Sequence, residues 1–350
     1  MGYFRKEFLA PFILLCTFGP IADAQTTYTI TNLGGLSDTQ FANATSINDS
    51  GQIVGKSANH AFLWENGVMT DLGTLGGNLS AANAINNRGQ VAGESSTASG
   101  EMHGFLWEHG TMKDLGTLGE TSCAYGINNR GEIVGASFGK NVRGGAVLWK
   151  NGERRSLGDL GPSGSGSTAI AINDKGEVVG VSSGFATNGG GVVRAVIWQR
   201  GAIQDIGTLG GRNSTAYALN TRSEVLGWAE TGDQSTNAFL WQDGVMRNLG
   251  MLPNSLIRVG SGSLAIAVNG HGQVVGSSLN STGESRAVIW ENGKITDLND
   301  LVPRTAGLVF TRASAINDRG QIVVEQQTNA DGPTSSFLLT PRTLDGRDRD

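Results

Sequence analysis

Apolar and polar positions alternate along this chain in short bursts. Four to seven β-branched, aliphatic or aromatic residues, interleaved with small or polar ones, are followed by two or three turn formers, and the pattern starts again. The stretches NAINNRGQVAG (83–93), YGINNRGEIVG (125–135) and IAINDKGEVVG (170–180) show the unit. A two-residue period bounded by Gly, Asn and Asp predicts strands, and no segment beyond residue 24 keeps a 3.6-residue apolar period over three turns.

Aligned on the asparagine of this unit, the chain contains seven copies, at Asn48, Asn86, Asn128, Asn173, Asn220, Asn269 and Asn317. A period of about 45 residues is the signature of a repeat architecture, so the chain reads as one domain despite its length. Each copy predicts four strands, a to d: a small-residue strand (NAIN, AIAIN, SAIN), GQIVG or a variant, AFLW or a variant, and MTDLGTL or a variant. Between c and d come Asn66-Gly67, His109-Gly110, Asn151-Gly152, Arg200-Gly201, Asp243-Gly244 and Asn292-Gly293. A two-residue loop ending in Gly predicts a type I′ hairpin. The asparagine before each a–b turn has a structural reason of its own, since its side chain bonds backbone two residues on.

Seven copies of four antiparallel strands predict a seven-bladed β-propeller with strand a nearest the axis. Strand b carries Gly55, Gly93, Gly135, Gly180, Gly227 and Gly276; strand c carries Trp64, Trp107, Trp149, Trp198, Trp241 and Trp290. In the seventh copy both change, to Val324 and Leu339, which predicts that the glycine faces the indole and that the tryptophans are core. That copy lacks a strand d, while residues 27–33 form a spare one; pairing them closes the ring and covers its edges.

The ends and the charge narrow the classes. Arg5 and Lys6, the apolar run 8–22 and Ala22-Asp23-Ala24 predict a signal peptide cleaved after Ala24, hence a secreted or periplasmic protein. Residues 25–341 form the repeat domain and 342–350 a polar tail. No later run predicts membrane insertion. Of the two cysteines only Cys123 follows the cleavage site; it reads as a small buried hydrophobe. With 53 glycines and a formal charge of −5, the chain has no basic stripe for nucleic acid.

HAFLW (60–64), DLGTLGG (71–77) and the AIN..GQVVG pattern resemble the HAF-type extracellular repeat family over nearly all of residues 27–340. The resemblance implies a secreted repeat protein and lends no activity. The triplet's histidine is kept only at His60 and His103; Gly145, Arg194, Asn237, Arg286 and Ser335 fill the other copies.

Motifs for catalysis lack their context. Gly135–Gly139 and Gly180–Gly184 match G-x-S-x-G, yet no helix follows either serine, as a nucleophile elbow requires. GSGSTA (164–169) and GSGSLA (260–265) precede strands, not helices, and read as linkers between blades. Asp71, Asp114, Asp205 and Asp297 recur once per copy, with Asn or Ser elsewhere, which predicts a hydrogen-bonding or edge-protecting role. No metal-ligand spacing appears, and neither a metal nor a cofactor is expected. The b–c and d–a connections vary while the other turns are constant, so recognition is expected on the face that holds the variable loops. His60, His103, Arg194, Asn237 and Arg286, just before strand c on that face, are the candidate ligand-binding residues. The expectation is a monomeric, non-catalytic binding or scaffold propeller for an extracellular protein, glycan or cell-surface partner. The alternative is an extracellular hydrolase or lyase on the same face, a reading that convergence of Asp233, Glu284 and His103 would favour.

Overall fold

A computed structural model describes residues 26–36, 41–139, 142–161, 166–185, 191–256, 262–304, 307–327 and 334–342. The proposed signal peptide and its cleavage site lie outside these residues, as do Cys16, most of the tail and parts of the two Gly-Ser linkers.

Seven four-stranded antiparallel sheets form the predicted propeller. Blade one comprises Asn43–Ile47, Ile53–Ser57, His60–Glu65 and Val68–Asp71. The other innermost strands are Gly76–Ile85, Thr121–Ile127, Ser167–Ile172, Gly210–Leu219, Ser263–Val268 and Arg312–Ile316. Blade seven takes strands a to c from Arg312–Ile316, Ile322–Gln327 and Thr334–Pro341, and its outer strand is Tyr28–Asn32. That strand runs antiparallel to strand c, from Tyr28 opposite Pro341 to Asn32 opposite Phe337. The only helix among the described residues is one 3₁₀ turn, Leu298–Asp300, and none is long and apolar enough to cross a membrane.

Local chemistry explains the blades. The six c–d hairpins have positive φ at both turn residues, as Asn66 (50°) and Gly67 (88°) show, which is the type I′ geometry that matches strand twist. The residue ending strand d folds back on its own backbone: Asp71 accepts from Gly73 N at 2.8 Å and Asp205 from Gly207 N at 2.8 Å. Asn32, Ser156 and Asn248 do the same.

The sevenfold asparagine does more than start a turn. Its Oδ1 accepts from the backbone N–H two and four residues on; in Asn173 these are Lys175 and Glu177, both at 3.0 Å. Its Nδ2 donates to the Gln or Glu four residues on and, with its second hydrogen, to the main-chain carbonyl of the same asparagine in the next blade. The seven inter-blade bonds span 2.9–3.2 Å, and Asn317 donates to the Asn48 carbonyl. The ring therefore closes in hydrogen bonds as well as in strands.

The core is divided among the blade interfaces rather than gathered at a centre. Trp149 packs on Ala92, Leu106 and Leu115 of the preceding blade, Trp198 on Val134, Ala146 and Leu148, and Trp290 on Leu226, Ala238 and Leu249. Five of the six tryptophans are buried and Trp107 is half-buried, so this row is core as expected. Leu339 suffices in blade seven because Leu298, Leu301 and Phe310 fill the space before it.

The pairing of strand-b glycine with tryptophan is corrected. Blade one's b–c turn is Ala58-Asn59, so Gly55 lies opposite Phe62, and Trp64 opposite Ile53. The glycine is required by strand a instead: a β-carbon at Gly55 would collide with the Asn43 carbonyl, and one at Gly135 with that of Cys123. Val324 and Leu339 are likewise not paired, since Val324 faces Phe337.

Two outcomes test this account. Asn173→Ala strands the Lys175 and Glu177 amides and leaves the Asn220 carbonyl to Ser223 N alone. At roughly 1–3 kcal/mol for each of the two amides left unpaired, chemical denaturation should show a loss of about 2–6 kcal/mol. Cysteines at Thr29 and Thr340, which face each other across the closure, should bridge readily once Cys123 is replaced, because facing residues of antiparallel strands stand about 4.5–5.5 Å apart. Non-reducing mass spectrometry should find the bridge, and the bridged protein should unfold at higher denaturant than the reduced one.

Candidate functional site

Each inner strand contains a β-bulge at the same place, and Gly76–Ile85 and Gly210–Leu219 shift register a second time nearer their start. The register shifts across Thr45, Asn83, Tyr125, Ile170, Tyr217, Ile266 and Ser314, leaving one extra residue per blade. Bulges re-aim a side chain, and here all seven line one axial cavity of about 450 Å³. The residue before each bulge is always alanine, fully buried. The frame is thus uniform and the bulge position is not.

The variation is lopsided. Blades seven, one and two present Ser314, Thr45 and Asn83, which donate to the Ala44, Ala82 and Ala124 carbonyls of the following blades at 2.8–2.9 Å. Blades three to six present Tyr125, Ile170, Tyr217 and Ile266. Tyr217 is held from behind, its hydroxyl accepting from Trp228 Nε1 at 3.1 Å.

One layer nearer the variable loops the same division holds. The facing a and b positions there are Arg312 and Glu325, Asn43 and Lys56, and Ala81 and Glu94 in blades seven, one and two. In blades three to six they are Cys123 and Ala136, Thr168 and Val181, Thr215 and Trp228, and Leu264 and Ser277, with no charge. Arg312 and Leu264 line the axial cavity. Lys56 and Asn43 line an adjoining groove of about 480 Å³, which shares Thr45 and Asn83 with the cavity and is flanked by exposed Phe41. Burial raises the Glu325 carboxyl, and the Arg312 charge opposes that shift.

Below the bulges, Ile47, Ile85, Ile127, Ile172 and Ile316 line both this cavity and a second, polar one of about 310 Å³ on the constant-turn face. Leu219 and Val268 complete this apolar collar at the second cavity. The second cavity holds the asparagine ring together with Asp49, Asp174 and Asp318. No group of three His, Cys, Asp or Glu among the described residues has the arrangement a metal needs.

Cys123 is half-buried rather than buried, and it is not merely a small hydrophobe. Glu94 of the neighbouring blade and Tyr125 lie beside its thiol. Burial, then the Glu94 carboxylate beside it, push the thiol up to about 12, and burial also raises the Tyr125 hydroxyl. The thiol is protonated at neutral pH and is no nucleophile.

The five residues expected to bind ligand lie at the outer part of five different blades and are not brought together. His60 meets Asp71 at 2.7 Å and His103 meets Asp114 at 2.8 Å, each within its own blade. Arg194 stands 3.8 Å from Asp205, and Arg286 is 2.7 Å from Glu284. Asn237 is buried, with its Oδ1 unpartnered. Asp233 is engaged by Thr231 and Ser235 in blade five, Glu284 by Arg286 in blade six, and His103 lies in blade two, so these three do not converge. The serines of both G-x-S-x-G matches are structural: Ser137 accepts from Leu118 N and Ser182 from Leu160 N, both at 2.9 Å.

The axial site escaped the sequence reading, although a signal for it exists. Strand a reads Ala, one variable residue, then Ala, Gly or Ser, an aliphatic residue and Asn in all seven copies. The variable residue is the bulge.

No family model matches the chain, and no curated protein matches it. Among solved structures, it is similar to the β-propeller domain of the trilobed protease from Pyrococcus furiosus. The TM-score is 0.56 at 12% identity, over 87% of this chain and 98% of that one. That domain has an open velcro topology, whereas here the N-terminal strand completes the last blade. Weaker likenesses are to XC5397, a gluconolactonase from Xanthomonas campestris (TM-score 0.44, 12% identity, 90% of each chain), and to a puromycin-hydrolyzing peptidase from Mycobacterium tuberculosis (0.49, 14%, 83% of this chain and 47% of that). At such identities the likeness is one of fold.

The thiol gives a pH test. A group whose pKa is raised on folding contributes stability that is complete below its unfolded value and is lost as pH rises toward the folded one. For Cys123 that window runs from 9.0 to about 12. Urea midpoints measured between pH 8 and 11 should fall more steeply for the unaltered protein than for Cys123→Ala.

Proposed function

We propose that the chain is an exported binding propeller that takes its ligand at the axial mouth on the variable-loop face. The carrying observation is the broken symmetry of the bulge ring. A purely structural channel has no need for five different residue types at seven equivalent positions on a frame whose flanking alanine and asparagine never change. Here one arc is polar and charged, and the opposite arc is aliphatic and aromatic. Most ligand cavities combine an apolar lining with a few placed polar groups, at volumes of about 300–1,000 Å³, and this one falls in that range.

The other part of the variable-loop face supports a macromolecular ligand. Phe41, Leu79, Leu118, Phe138, Leu160 and Leu256 are exposed there, and exposed apolar side chains on one face mark recognition surfaces. Binding is favoured over hydrolysis because Cys123 is protonated, the motif serines are committed to backbone, and Asp233, Glu284 and His103 stand apart. The leader at residues 1–24 and the HAF-type pattern support export.

The test blocks the mouth without touching the outer ring. Ile266→Trp fills the axial cavity from the apolar arc. It should abolish binding to an array of extracellular glycans and proteins while leaving the unfolding midpoint within a few degrees. His60→Ala, at the periphery, should bind as the unaltered protein does. Loss of binding in His60→Ala alone would move the site to the outer ring.

A further inference from the structure

The charges at the axial mouth are confined to blades seven, one and two, and two of them are cations without an ion-pair partner. No carboxylate among the described residues comes within 4.0 Å of Arg312 or Lys56. Two carboxyls share the arc, and neither cancels this. Glu94 lies beside the Cys123 thiol and makes no ion pair with either cation. Glu325 faces Arg312 across the strand pair without making an ion pair. Arg312 is solvent-exposed and opens onto the cavity. Its planar fork suits a carboxylate better than a spherical anion.

The same arc offers neutral hydrogen-bonding groups. Asn83, which lines the cavity, donates from Nδ2 to the Ala124 carbonyl, and its Oδ1 accepts from no described residue. The Asn43 amide has no partner among the described residues and lines the adjoining groove. Across the cavity stands Tyr217, its hydroxyl accepting from Trp228 and so still able to donate. A ring clamped in this way offers a rigid apolar face with a polar tip, at small cost in side-chain entropy.

Cation, amides and aromatic plate fit different parts of one kind of molecule. The C–H face of a pyranose lies on an aromatic plate, its hydroxyls exchange hydrogen bonds with amides, and a carboxylate on the ring meets the guanidinium. An alkyl acid would leave Asn43, Asn83 and the Tyr217 hydroxyl unpaired. A neutral sugar would leave Arg312 and Lys56 without a counter-charge. We propose that the axial mouth recognises an acidic saccharide, a uronic-acid residue whose carboxylate is held by Arg312 with Lys56 nearby. This rests on the axial-mouth reading given above.

The test is calorimetric titration of the purified full chain with oligogalacturonate and oligoglucuronate. The corresponding neutral oligosaccharides, a sulfated oligosaccharide and octanoate serve as comparators. At least one uronate should bind ten-fold or more tightly than its neutral counterpart, and the affinity should weaken with added salt, since exposed charges are screened. Arg312→Gln should lose about ten-fold or more, Arg312→Lys should recover part of that, and Tyr217→Phe should lose less than Tyr217→Ala. Unfolding midpoints for each variant separate lost binding from lost fold. Equal binding of neutral sugars, preference for the sulfated chain or for octanoate, failure of both uronates to bind, or an unchanged affinity in Arg312→Gln would each overturn the proposal. Those results leave the axial reading intact if Ile266→Trp still abolishes array binding. If Ile266→Trp binds normally, the axial reading itself fails.

Discussion

The asparagine amide that crosses from each blade to the next is the interaction on which this ring depends. Blades are joined in the chain only by loops, and each would be a marginal four-stranded sheet on its own. One side chain resolves two problems together. Its oxygen satisfies the amides of the a–b turn, and its nitrogen satisfies a carbonyl on the neighbouring blade. Because the donor and the acceptor belong to equivalent residues, the bond repeats without an end once Asn317 reaches Asn48. The polar ring and the hydrophobic interfaces then enforce the same geometry, since a tryptophan can settle on the preceding blade only when the turns at the axis are in register.

That ring also explains the bulge. The strand-b glycine lets the two inner strands approach so closely that a β-carbon would strike the carbonyl two residues before the bulge. The buried alanine beside it keeps the space closed. With the ladder held on both sides, the extra residue is expelled toward the axis, where its side chain meets few packing demands. The sequence can therefore place tyrosine, isoleucine, asparagine or serine there without altering the blade.

The repeat, the four strands, the type I′ hairpins and the closure by residues 28–32 were all legible in the chain, because each rests on local chemistry that recurs seven times. For the Asp of strand d a hydrogen-bonding role was legible, but not that the strand stops there, before LGTL. Register was not: the Gly–Trp pairing depended on where a b–c turn began, and a shift of turn by one residue moved the partner from Trp64 to Phe62. Nor was the axial site. Residues such as Asn83, Tyr217 and Arg312 come from blades far apart in sequence and converge only through ring closure. His60 and Arg194 drew notice by standing just before strand c on the variable-loop face, yet each is taken up by an aspartate in its own blade.

The isoleucine collar beneath the bulges is the boundary between two unlike cavities, since the same five side chains line both. Above it the wall changes from blade to blade. Below it every blade presents the same asparagine. A molecule at the upper end would be oriented by which blade it faced, whereas one at the lower end would meet that asparagine again at each step of rotation. The collar divides an axis that has a direction around it from one that repeats.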